Sequence, residues 1–151
     1  MHSNSSAKNE AEIYRFIETG IPFCQFLKMK VIQLTPELVQ ILLPFQQDLI
    51  GDPRRPALHG GVIATLLDTA GGAISMTRLD LGRETLSTID MRIDYLLPAQ
   101  AKDLIGEARI VRKGNKVVVT QMRAFHPNQE NAVADSRAVY NISNLRSANP
   151  I

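Results

Sequence analysis

The chain is 151 residues long, with 44% hydrophobic and 21% charged residues and a net charge of +2. That length supports one domain with one core and excludes two, and a charge so near balance excludes a general nucleic-acid binder, which needs a concentrated basic face. The single cysteine, Cys24, excludes an intramolecular disulfide and fits a reducing compartment. Beside Phe23 and Phe26 it reads as a small buried hydrophobe rather than a nucleophile. Residues 1–6 are polar and carry no secretory signal. The longest mostly apolar run, residues 60–76, contains Asp68 and is short for a bilayer span. The expectation is one cytoplasmic domain over residues 1–151, with no membrane contact.

In chain order, residues 1–9 are polar and are expected to be disordered. Residues 10–19 read as a short amphipathic helix, with Ile13, Phe16 and Ile17 on one face and Glu10, Glu12, Arg15 and Glu18 pointing away. Gly20 and Pro22 end it. Two β-rich runs, 30–34 and 38–43, flank the turn Thr35-Pro36-Glu37 and predict a hairpin. Pro44, Pro53 and Pro56 keep 44–58 out of regular structure. The longest helix is expected over 59–77. Val62, Ile63, Leu66, Leu67, Ala70, Ala73, Ile74 and Met76 surround it with apolar groups, the pattern of a buried helix. After residue 84 the period changes to two. Strands are expected over 85–95, 102–112, 116–125 and 132–142, ended by Pro98 or joined by short turns at 113–115 and 126–131. Short turns between successive strands make an antiparallel sheet. One apolar helix and one long antiparallel sheet are satisfied together when the sheet curls around the helix. This α+β arrangement is the hotdog fold. Its free sheet edge predicts pairing with a second copy.

The chemistry concentrates on that helix. Asp68 is the only charged side chain between His59 and Thr77. A carboxylate on a buried helix is unfavourable by several kcal/mol unless paired or hydrated, so Asp68 reads as a general base or nucleophile in a pocket; the bland reading is a carboxylate bonded to a nearby hydroxyl. Gly60 and Gly61 open the helix, where backbone N–H groups have no internal partner and glycine exposes them. Such N–H groups form an anion site suited to the oxyanion of an attacked carbonyl. Gly71 and Gly72, one turn beyond Asp68, suggest either close backbone packing or room for a ligand. Gly60 and Asp68 stand eight residues apart, about 12 Å along a helix. If both act on one carbonyl, they come from two chains with antiparallel helices. The histidines His2, His59 and His126 and the lone cysteine show no metal-ligand spacing, so no metal is expected.

The run Leu58-His59-Gly60-Gly61-Val62-Ile63-Ala64-Thr65-Leu66-Leu67-Asp68-Thr69-Ala70 resembles the signature of hotdog thioesterases related to the phenylacetate-degradation thioesterase. The run from Ser87 through Tyr95-Leu96-Leu97-Pro98-Ala99 is similar to that family's next strand. The resemblance implies an acyl-CoA thioesterase with Asp68 as the catalytic carboxylate and sites shared across a dimer, two per dimer, with a dimer of dimers as the larger assembly. It implies no cofactor, CoA being part of the substrate. It also implies that His59 is not the base but pins the helix start, and that Thr88 helps orient the water, its hydroxyl bonding the Asp68 carboxylate. Relatives often carry Asn or Gln about six residues before the histidine. Here that position is Pro53, between Asp52 and Arg54. The phosphates of CoA call for a basic rim, for which Arg54, Arg55, Arg112, Lys113 and Lys116 are the candidates. Two other readings compete. A hotdog dehydratase or hydratase would carry an Asp-x-x-x-x-His dyad, which is absent here. A non-catalytic acyl-CoA-binding hotdog regulator would need a DNA-binding module and would leave Asp68 unexplained.

Overall fold

The computed structural model describes residues 3–145. Helix α1 (Ser3–Arg15) runs into a π-helical turn, Phe16–Gly20, and then into the short helix α2 (Pro22–Phe26). The first helix begins at Ser3, ahead of the start expected at residue 10; residues 1 and 2 lie outside the described residues. The expected apolar face is also corrected. Ile13 and Ile17 are buried, but Phe16, at the start of the wider π turn, stays about half exposed. Cys24 is buried as expected, while its neighbours Phe23 and Phe26 stack on each other at the surface with ring centroids 6.3 Å apart.

Strands β1 (Lys30–Leu34) and β2 (Val39–Leu43) form the expected hairpin. The proline-bearing segment after it holds a single 3-10 turn, Gln47–Leu49. Helix α3 (Gly60–Met76) follows, then β3 (Glu84–Tyr95), β4 (Leu104–Lys113), β5 (Val117–Phe125) and β6 (Ala132–Asn144). All pairings are antiparallel, in the order β1-β2-β4-β5-β6-β3. The sheet packs around α3, which touches β2 through β6.

One face of α3 makes the core, through Ile63, Leu66, Leu67, Ala70, Gly71 and Ile74. Burying each large aliphatic side chain contributes about 1.5–3 kcal/mol. Two glycines let helix and sheet approach closely. A Cβ at Gly106 of β4 would overlap Leu66, and one at Gly71 would overlap the Tyr140 hydroxyl of β6. The helix is not enclosed on all sides, however. A second stripe, Thr65, Asp68, Thr69, Gly72 and Met76, is only half buried and forms part of a groove wall.

The two sheet edges differ. On β1, the Glu18 carboxylate accepts the Val31 N–H at 2.8 Å and pairs with Lys30 at 3.4 Å. On the other side β3 is a twelve-residue edge strand, with Ile89 exposed on it and Leu96 and Leu97 exposed just beyond.

Candidate active site

The first turn of α3 is built by its flanking residues. His59 adopts φ −62°, ψ 133° and caps the helix, its Nδ1 accepting the Gly61 N–H at 2.9 Å. A Cβ at residue 61 would sit 3.0 Å from that nitrogen, so glycine makes room for the imidazole. The Gly61 N–H, expected to be open to a ligand, is engaged by this cap. The Gly60 N–H has no acceptor among the described residues. The Gly60 carbonyl is held at 2.9 Å by the Tyr95 hydroxyl, which sequence reasoning did not single out.

Two turns further on, Asp68 lies beneath β3 and β6. The Thr88 hydroxyl donates to Asp68 Oδ1 at 2.9 Å, the contact expected within one chain. Its reach depends on a β-bulge. The β3–β6 register passes from Thr88↔Tyr140 to Asp90↔Val139, leaving Ile89 as the extra residue. The bulge shifts the alternation by one, so Thr88 turns toward α3 along with Leu86 before it and Met91 and Ile93 after it. A second hydroxyl was missed from sequence. Tyr140 donates to the Asp68 carbonyl at 3.0 Å and to Oδ1 at 3.1 Å. Burial, and then the Asp68 charge, push ionisation of this phenol far above the ordinary tyrosine range, so it remains a donor. The available signal was Gly71: a glycine inside a helix costs about 1 kcal/mol against alanine, and an inward-facing tyrosine on the last strand is what its missing side chain admits. The bland reading of Asp68, a carboxylate bonded to hydroxyls, is thus correct for Oδ1. Oδ2 has no hydrogen-bond partner among the described residues.

Asp68 and Thr88 line a groove of about 930 Å³ that runs between α3, the β3 edge and the N-terminal helices. Beyond Asp68 its wall is largely apolar, with Phe16, Ile21, Ala73, Met76 and Leu81. Gly72 has nothing within 4 Å of where a Cβ would stand, so it leaves open space in the groove. Cys24 lies on the same wall, its thiol ionisation raised by burial against the opposing effect of a hydrogen bond with Thr69.

The basic residues do not form one patch within a single chain. Arg54 and Arg55 lie in the loop before Gly60, and Arg54 is bound to Asp52 at 3.0 Å. Arg112 and Lys113 end β4, and Lys116 precedes β5, at the far end of the ten-residue strand β4 from the 57–100 bridge that anchors the Arg54 loop. A strand of that length spans roughly 30 Å. Pro53, with Asp52 and Arg54, stays in that loop and supplies no side-chain amide. Buried His126 is a latch, not a site residue: Nε2 accepts the Gln100 N–H at 3.0 Å and Nδ1 lies 2.8 Å from the Asp103 carbonyl. Among the described residues, no group of three or more His, Cys, Asp or Glu could hold a metal ion. No helix among them is long and apolar enough to cross a membrane.

A six-stranded antiparallel sheet around a long helix, with a carboxylate in the helix facing a groove, defines the class: a hotdog protein of the thioesterase type. Comparison with known proteins agrees. The family model described as "Thioesterase superfamily" matches residues 56–133, a span that includes Gly60, Asp68 and Thr88 and stops before Tyr140. The chain is 30% identical over 132 residues to the medium/long-chain acyl-CoA thioesterase YigI of Escherichia coli, covering 80% of this chain and 84% of that one. It is 34% identical over 104 residues to a putative esterase of Halobacterium salinarum, covering 68% of each. A Shewanella oneidensis crystal structure related to the thioesterase superfamily superposes with a TM-score of 0.82 at 28% identity, covering 92% of this chain and 98% of that one. The chain belongs to the thioesterase superfamily.

Proposed function

We propose that this protein is an acyl-CoA thioesterase acting on medium and long acyl chains, releasing the free acid and CoA, and that it works as a homodimer or a dimer of dimers. The observation that carries the reading is Asp68, with Oδ1 held by two hydroxyls and Oδ2 free beside an apolar groove. The free oxygen takes a proton from water while the water oxygen bonds to the thioester carbon and the carbonyl electron pair moves to oxygen. Collapse re-forms the C=O bond and breaks C–S, and the departing CoA sulfur takes the proton from Asp68. In a variant that uses the same free atom, Oδ2 bonds to the thioester carbon as C–S breaks, giving a mixed anhydride and CoA thiolate; water then cleaves the anhydride to free acid and Asp68 and supplies the proton the thiolate takes. The name of the Escherichia coli relative supports the medium and long chain class, and the groove supports an apolar acyl group.

The oxyanion needs a donor within about 3 Å. The unpartnered Gly60 N–H suits it, but that group and Asp68 are about 12 Å apart along α3. The reading is therefore a composite site, with Gly60 of one chain and Asp68 of the other, joined across the open β3 edge. His59 and Tyr95 then keep the first turn in shape, and Arg54, Arg55, Arg112, Lys113 and Lys116 are the candidates for meeting the CoA phosphates.

The test is subunit complementation. Gly60→Pro removes one N–H at a helix position that tolerates proline, and His59 already has the extended backbone a following proline requires. Each of Asp68→Asn and Gly60→Pro is expected to lower CoA release by about a hundredfold or more across acyl lengths. Co-expressed, they form heterodimers with one intact site, and activity returns to as much as half the wild-type sites. Verified heterodimers without activity exclude the composite site. Wild-type protein that binds acyl-CoA but releases no CoA excludes hydrolysis.

A further inference from the structure

Tyr140 enters the mechanism above only as one of two hydroxyls on Oδ1, yet the fold makes a costly accommodation for it. It is 2% exposed on β6 and faces α3. The small inward residues before it, Ala134, Ser136 and Ala138, let the helix lie close to the strand. Gly71 then opens a notch that admits the phenol, and any Cβ there would overlap its hydroxyl. The result is a hydroxyl 3.0 Å from the Asp68 carbonyl and 3.1 Å from Oδ1 of the same residue.

We infer that Tyr140 is a positioning residue of the reaction: with Thr88 it clamps Oδ1 of Asp68, so that Oδ2 is the atom that meets water or the thioester. The inference rests on the thioesterase reading. An aspartate carboxylate turns about χ1 and χ2, and one hydrogen bond leaves part of that freedom. Two donors from different strands, Thr88 on β3 and Tyr140 on β6, fix one oxygen and thereby aim the other. The second Tyr140 contact, to the Asp68 carbonyl, ties the same phenol to the helix backbone, so the carboxylate is registered against its own main chain. Correct placement matters at this scale, because a displacement of about 1 Å can cost a hundredfold in rate. A phenol that stays protonated never competes with Asp68 for the proton; it only donates.

The experiment is a two-by-two cycle of Tyr140→Phe and Asp68→Asn, with kcat and KM measured for CoA release from a decanoyl-CoA substrate and unfolding measured for all four proteins. Phenylalanine keeps the ring in the Gly71 notch and removes only the hydroxyl. The expected result is a fall in kcat of about tenfold in Tyr140→Phe with KM within twofold, and no further fall when the same change is made in Asp68→Asn. Residues acting as one unit are non-additive in this way. Gly71→Ala, which pushes the phenol away by another route, is expected to lower kcat in the same direction and serves if the phenylalanine variant folds poorly. An equal loss in both backgrounds means a structural role only, and unchanged kcat in Tyr140→Phe removes the residue from the reaction. Wild-type protein that releases no CoA from any acyl-CoA overturns the thioesterase reading instead, so the two failures are distinguishable.

Discussion

Asp68 and Tyr140 set opposite demands at the residue scale. The carboxylate accepts from a buried phenol, and the phenol must keep its proton in order to donate. The same coupling has a consequence for stability. Ionisation of Tyr140 in the folded protein is raised well above the ordinary value of 10.0, first by burial and then by Asp68. The folded state therefore holds a proton that the unfolded chain releases above pH 10, and the stability this supplies is complete below pH 10 and declines above it. Wild-type protein is expected to lose about 1.4 kcal/mol between pH 8 and pH 11 through this group. Tyr140→Phe abolishes that loss. Denaturant unfolding of both proteins at the two pH values measures the difference; parallel losses would show that Tyr140 is not under this strain.

At the scale of elements, α3 carries two faces with different tasks. The face with Leu66, Leu67 and Ile74 is fully buried against the sheet, and the stripe with Asp68 and Gly72 borders the groove. The adjacent glycines divide the same way. Gly71 is small because Tyr140 occupies the space, and Gly72 is small with nothing in front of it. A leucine at 72 enters open groove, not core, so Gly72→Leu is expected to fold at no cost and gain helix propensity of up to about 1 kcal/mol. It should cut kcat/KM for dodecanoyl-CoA at least tenfold while leaving acetyl-CoA within about threefold. A uniform loss across acyl lengths would mean that the acyl chain does not pass Gly72. The bulge at Ile89 is the second element-scale device. Without the extra residue, Thr88 and Met91 could not both face the helix, because side chains alternate along a regular strand.

For the whole molecule, the asymmetry of the sheet edges decides how it can associate. The β1 edge is engaged by Glu18 from its own chain, whereas β3 ends the sheet with no strand beyond it among the described residues. A long edge with exposed apolar side chains is a template for another strand unless charge or proline blocks it. Ile89→Lys introduces that charge on β3. The expected outcome is a folded monomer by sedimentation, with an unchanged far-ultraviolet spectrum and CoA release reduced by at least tenfold, because Gly60 and Asp68 no longer come from facing chains. A monomer with full activity would contradict the composite site, and an intact dimer would move the interface away from this edge.

The sequence by itself determined the order of hairpin, long helix and four strands, a helix over about 59–77, and Asp68 as the one charge on it. Hydrophobic period, prolines and one charge in an apolar helix are local signals, and local signals are legible in one dimension. The His-Gly-Gly start was also legible, although the division of labour within it was not. Whether Gly60 or Gly61 keeps a free N–H depends on where the His59 ring turns, and only the folded cap decides that. The start of the first helix was placed too late because the residues after Ser3 lack an apolar pattern. The basic residues read as one rim because spacing along the chain says nothing about which ends of a strand they occupy. Tyr140 is 72 residues from Asp68 in sequence, and no pattern within β6 distinguishes it from any other inward-facing side chain. The tertiary structure decided its role, because a strand pairing and a notch at Gly71 must both form before the phenol and the carboxylate can meet.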